Sequence, residues 1–175
     1  MRTKIPTLPR NILIWIISCL FLLELSCSSP GGVPYGALTG RSDCKNFVIS
    51  RGNQASFAPT PGEECLEYLY DGRSRLTLKH INAGFNCCPG TISAGFYILP
   101  GAIIIKEKEE SSLCDCNCLY DLTYELMNIR PGVYRISAKN PYQPPDEPPL
   151  EFVVSLKGPV SGTFCVPRKK YPWGY

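Results

Sequence analysis

Beyond residue 44 the apolar positions recur at every second residue, and no stretch sustains the 3.6-residue period of a helix facing a core. Residues 119–128 carry this alternation most fully. Tyr120, Leu122, Tyr124 and Leu126 fall on one side, and Asp121, Thr123 and Glu125 on the other. Residues 75–82 repeat the pattern, with Leu76, Leu78 and His80 opposite Thr77 and Lys79. Cys65-Leu66-Glu67-Tyr68-Leu69-Tyr70 followed by Asp71-Gly72 reads as a strand running into a hairpin turn rather than as a short helix. Further strands are predicted over residues 91–99 and 102–109 around a turn at Pro100-Gly101, and over 151–156 and 162–166. The run Ile103-Ile104-Ile105 suits a strand buried on its faces.

Between two of these strands, Ile129-Arg130-Pro131-Gly132-Val133-Tyr134 places a Pro-Gly turn ahead of a segment with Tyr134, Ile136 and Ala138 on one face. A turn followed by such a tyrosine resembles the tyrosine corner of immunoglobulin-like and fibronectin-like sandwiches. Seven to eight short strands at this spacing predict an all-β, immunoglobulin-like antiparallel sandwich over residues 44–175. Residues 140–149 hold five prolines and read as a stiff surface connector, with a ligand for a proline-reading module as the rival. Ile81-Asn82-Ala83-Gly84-Phe85 nearly recurs as Ile92-Ser93-Ala94-Gly95-Phe96, which is too short and too isolated to signal a solenoid.

The first 27 residues have a different character. Arg2, Lys4 and Arg10 precede an apolar run from Ile12 to Leu23, shorter than the roughly 20 residues that span a bilayer, as in a cleaved export signal. The run ends at Leu25-Ser26-Cys27-Ser28-Ser29, which resembles a lipobox and makes Cys27 the candidate for acylation. Glu24 stands where that pattern carries Leu. Cys19 is a second candidate, and cleavage after Ser28 to release a soluble protein is the alternative. Residues 28–43, rich in Ser, Gly and Pro, read as a tether. The leader removes three of 18 basic and one of 15 acidic residues, leaving 15 against 14, a net charge of +1. So balanced a charge gives no footprint for nucleic acid.

Eight cysteines then remain: Cys44, Cys65, Cys87, Cys88, Cys114, Cys116, Cys118 and Cys165. An even number in an exported chain is consistent with full pairing in an oxidising compartment. If the strand through Tyr120 extends back unbroken, Cys114, Cys116 and Cys118 share its core face. Their Cα atoms would stand about 6.6 Å apart along the strand, at the edge of disulfide reach. Cys87 and Cys88 point apart in extended backbone, and Pro89 favours that conformation. The expected scheme therefore takes both into the ladder 114–118, joins the ladder's third cysteine to Cys65, and clasps Cys44 to Cys165. Four bonds at about 2–4 kcal/mol each rival the net stability of a whole domain.

The alternative is a thiolate site for Zn or Cu(I) built from Cys87, Cys88, Cys114, Cys116, Cys118 and His80. The zinc spacing Cys-x2-Cys does not occur, and exported thiols oxidise. Thiol–disulfide exchange would need an exposed cysteine of lowered pKa. His80, the single histidine, reads first as a hydrogen-bonded core residue. No serine stands in a nucleophile elbow, and no glycine-rich phosphate loop occurs. The carboxylate pairs Glu63-Glu64 and Glu109-Glu110 fall at loop edges, where solvated charge is expected. The closing segment, Arg168 to Tyr175, is either a docking tail or a strip that packs Trp173 on the domain.

Three segments carry a resemblance: Leu78 to Pro89 with its Phe-Asn-Cys-Cys-Pro, Leu113 to Leu122 with Cys-Asp-Cys-Asn-Cys-Leu-Tyr-Asp-Leu, and Phe164 to Trp173. They are similar to an uncharacterised family of small bacterial lipoproteins. The resemblance implies an exported fold and no particular reaction or cofactor. The sequence therefore points to a non-catalytic envelope protein, held to the membrane through an N-terminal lipid and contacting an unidentified envelope protein or glycan. A metal-binding protein and an inhibitor or modifier of an envelope enzyme are the alternatives.

Overall fold

The structure, a computed structural model, describes residues 32–45 and 60–173. Nine strands follow one another: β1 (Tyr35–Arg41), β2 (Glu63–Asp71), β3 (Leu76–Asn86), β4 (Ile92–Leu99), β5 (Ala102–Glu109), β6 (Asn117–Met127), β7 (Val133–Lys139), β8 (Leu150–Ser155) and β9 (Pro159–Pro167). They form a five-stranded sheet in the order β1-β6-β3-β2-β9 and a four-stranded sheet in the order β4-β5-β7-β8. The all-β sandwich expected from the alternation is thus present. Its one departure from antiparallel pairing is β5 with β7, which run parallel from Ala102 opposite Arg135 to Lys106 opposite Lys139.

The alternating residues make the core. Leu76 and Leu78 on β3, Leu122, Tyr124 and Leu126 on β6, and Ile103 and Ile105 on β5 are all fully buried. Burying each such side chain contributes roughly 1.5–3 kcal/mol. The Tyr134 hydroxyl donates to the Arg130 carbonyl at 2.9 Å, which closes the expected tyrosine corner. The Tyr70 hydroxyl lies 2.9 Å from the Arg73 carbonyl and 3.0 Å from that of Ile129, joining the β2–β3 and β6–β7 turns.

Part of the span read as a tether, residues 28–43, is regular structure. Tyr35–Arg41 is instead strand β1, paired antiparallel with β6 from Tyr35 opposite Met127 to Arg41 opposite Leu122. The glycine that reads as flexibility serves close approach here: a Cβ on Gly36 would lie 2.5 Å from the Phe96 ring. That ring meets Tyr124 edge-on at 5.7 Å, so β1 and β4 close one seam of the sandwich. The other seam is closed by Phe152, stacked on Phe164 at 5.1 Å and tilted against Tyr68 at 5.4 Å.

A bulge interrupts β3. His80 pairs with Leu122 and Ala83 with Tyr120, so Ile81 and Asn82 together oppose Asp121 alone. The extra residue shifts parity, and Ala83 and Phe85 continue the core face begun by Leu76, Leu78 and His80. Asn82 takes the left-handed conformation, φ 62°, in which asparagine is enriched. Its side chain donates to the carbonyls of Thr60 and Glu63 and accepts from Lys45 Nζ at 2.8 Å. Its carbonyl accepts the Trp173 indole N–H at 2.8 Å. Trp173 is buried over Gly84, where a Cβ would meet the ring at 2.7 Å. The closing segment therefore packs on the domain through Trp173.

Trp173→Ala removes a buried indole and leaves the Asn82 carbonyl without its donor. It should cost about 3–5 kcal/mol, read as a lowered urea midpoint with unchanged slope.

Candidate functional site

The half of the sandwich opposite the β1 N-terminus gathers the residues that carry chemistry. Glu64 shares the inner face of β2 with Leu66 and Tyr70, and Glu107 shares the inner face of β5 with Ile103 and Ile105. Alternation thus carries both carboxylates inward, along with His80 from β3. Glu64 and His80 are 0 % exposed, Glu107 4 % and Arg168 2 %, so none of the four charges meets bulk water.

They meet each other. His80 Nδ1 lies 2.6 Å from Glu107 Oε1, and Nε2 lies 2.8 Å from Glu64 Oε1. The Tyr124 hydroxyl donates to Glu107 Oε1. Asn140 donates to Glu64 Oε1 at 2.6 Å, and Arg168 Nε donates to Glu64 Oε2 at 2.6 Å. Arg168 Nη2 forms an ion pair with Glu64 Oε2, and Nη1 donates to the Pro148 carbonyl at 2.6 Å. The network joins β2, β3 and the segment after β9 in one sheet to β5 in the other.

Burial by itself pushes the His80 pKa down, because the charged ring loses its water. The negative charge of Glu107 and its hydrogen bond, followed by those of Glu64, outweigh that penalty and raise the pKa to about 10. His80 is therefore a cation at neutral pH and donates from both nitrogens. Two carboxylates then face two cations, and the buried charge sums to zero. Burial and the adjoining Glu107 push the Tyr124 pKa well up, so its hydroxyl stays a donor. An imidazole acting as a base needs a free nitrogen and a route for substrate; here both nitrogens are engaged and the ring is sealed. The arrangement works as a latch between sheets.

His80 is thus a buried, hydrogen-bonded core residue. The expectation of solvated charge fails for Glu64, which is fully enclosed, whereas Glu109 is half-buried. The Glu109 carboxylate accepts the Asn86 backbone N–H at 2.8 Å and the Tyr142 hydroxyl at 2.7 Å. Position in the strand decided this: Glu64 lies two residues before Leu66 and so on its face. Glu107 is legible by the same parity, whereas Asn86 follows the bulge and lies on the face opposite Ala83 and Phe85.

All eight cysteines expected in the domain are paired: Cys44–Cys118, Cys65–Cys165, Cys87–Cys116 and Cys88–Cys114. Cys87 and Cys88 do enter the ladder separately. The other two bonds differ from expectation: Cys118 takes Cys44 rather than Cys65, and Cys165 takes Cys65 rather than Cys44. Register explains the second exchange, because β2 pairs with β9 and sets Cys65 directly opposite Cys165, with Cα atoms 4.0 Å apart. The first follows from β1, whose pairing with β6 delivers Cys44 beside Cys118.

The ladder is not one strand face. β6 begins at Asn117, so Cys114 and Cys116 precede it; Cys118 is buried while Cys116 is exposed. Asn86 draws the two segments together. Its Oδ1 accepts the N–H groups of Cys88 at 2.8 Å and Cys114 at 3.2 Å, and its Nδ2 donates to the Cys114 carbonyl at 2.6 Å. The alternative metal set of Cys87, Cys88, Cys114, Cys116, Cys118 and His80 is not assembled. Its five sulfurs are in disulfides, and among the described residues no group of three or more His, Cys, Asp or Glu is placed to hold a metal. Cys27 lies outside the described residues.

No protein-family model matches the chain, and neither a curated protein nor a solved structure is significantly similar to it.

Two measurements check these assignments. Because the folded pKa of His80 stands above its unfolded value of about 6.5, its contribution is complete below that pH. It is lost as pH rises through about 10. Stability should fall by up to about 1.4 kcal/mol per pH unit across that window. His80→Gln should abolish that slope and cost about 3–5 kcal/mol at neutral pH, because two buried carboxylates lose their cation. Peptide mapping without reduction should recover the four pairs above; a Cys87–Cys88 peptide would contradict them.

Proposed function

We propose that this chain is an exported, non-catalytic module of the bacterial cell envelope, anchored through acylated Cys27, whose rigid sandwich presents a contact surface to an envelope protein or glycan. One observation carries the reading: the reactive groups of the described domain are spent on holding the frame. Eight sulfurs are paired and the single histidine is enclosed by carboxylates. Four disulfides are consistent with an oxidising compartment, and the export signal read in residues 1–27 agrees with it. A frame so constrained loses little conformational entropy when its loops meet a partner, which favours a recognition role.

The test is a thiol and metal count on protein purified from an oxidising compartment. We expect no free thiol under denaturation and no bound metal; several thiols with stoichiometric zinc or copper would replace the scaffold with the thiolate reading. Cys27→Ala should move the protein from the membrane fraction to the soluble one. Unchanged membrane association in that variant counts against the tether.

A further inference from the structure

We infer that the end of the sandwich where the chain enters β1 is a bilayer-docking face. This rests on the reading of Cys27 as the lipid anchor. The strand ends assemble the surface. The starts of β1, β5 and β7 and the ends of β2, β4, β6 and β8 meet at this end. Pro34, Leu99, Pro100, Pro131 and Val133 line a shallow apolar groove there. Val33 is 83 % exposed, Leu99 55 % and Val133 51 %, so apolar side chains stand in water together rather than scattered.

Cations outnumber anions at this end. Arg73, Arg130 and Lys157 are exposed on the β2–β3, β6–β7 and β8–β9 turns. The acid on those turns is Asp71, whose Oδ1 is turned onto the backbone N–H groups of Arg73, Ser74 and Arg75. An apolar rim bordered by cations matches an anionic bilayer surface.

The covalent chain selects the bilayer over other occupants. Gly32 lies five Cα–Cα steps after Cys27. Whatever path they take, they reach at most about 18 Å at 3.3–3.6 Å per residue. Acyl chains on Cys27 would therefore hold this end within that distance of the headgroups. The disulfide-linked end, with Cys87, Cys88, Cys114 and Cys116, would then point away from the membrane and be the part open to a partner.

The test uses the full chain, produced with its leader in an exporting bacterium. A diazirine amino acid replaces Leu99, Val133 or, as control at the opposite end of β4, the exposed Ser93. Membranes are irradiated and adducts identified by mass, while the N-terminal peptide mass reports whether Cys27 is acylated. Lipid adducts at 99 and 133, several-fold above those at 93, are expected. Equal labelling at the three sites, or adducts at 99 to another protein or a second copy, with Cys27 acylated, overturn the docking face and leave the tether standing. An unacylated Cys27 removes the tether and this proposal with it.

Discussion

A protonated imidazole between two carboxylates sets the terms on which the two sheets meet. His80 projects from the five-stranded sheet to reach Glu107 of the four-stranded one, and its other nitrogen holds Glu64, which in turn holds Arg168. Each charge alone would be costly in an apolar interior, and a pair missing one member is worse than none. The four are therefore interdependent, and each has geometry to satisfy. A shifted register of β2, β3 or β5 would carry a charge to the wrong face and leave its partner unmatched. The network's contribution lies in specifying one alignment of the sheets more than in raw stability.

The C-terminal segment extends this logic outward. Arg168 enters the network, and its guanidinium lies 5.8 Å from the Trp173 ring centroid. Trp173 in turn seats on Gly84 and donates to Asn82, the residue at the β3 bulge. Interior charge, bulge and closing strip form one connected construction. The bulge supplies the parity change by which His80 and Phe85 both face inward although they are an odd number of positions, five, apart.

Strands were the legible part of this chain because alternation is a local property. The segments around Leu78, Leu122 and Ile104 announce their own faces without reference to neighbours. β1 escaped notice because Gly36 and Gly40 imitate a linker; their meaning depends on Phe96 and β6, which sequence order does not place beside them. The disulfide scheme divided along the same line. Cys87 and Cys88 found the right region because both clusters are dense, whereas the choice between Cys44 and Cys65 depended on sheet order. Glu64 and Glu107 were readable by parity, but a lone carboxylate among apolar neighbours acquires its meaning only when the partner across the core is known.

The placement of two bridges has a bearing on how the chain would survive being cut. Residues 46–59 lie between Cys44, bonded to Cys118, and Cys65, bonded to Cys165. A break of the backbone anywhere in that stretch leaves the N-terminal fragment bonded to the rest through Cys44–Cys118, while Cys65–Cys165 stays inside the other fragment. β1 would stay attached even though its peptide link to β2 was gone, and with it whatever the N-terminus carries. Proteolytic nicking or a long insertion at that point thus changes the path of the polypeptide without detaching its N-terminal side from the frame.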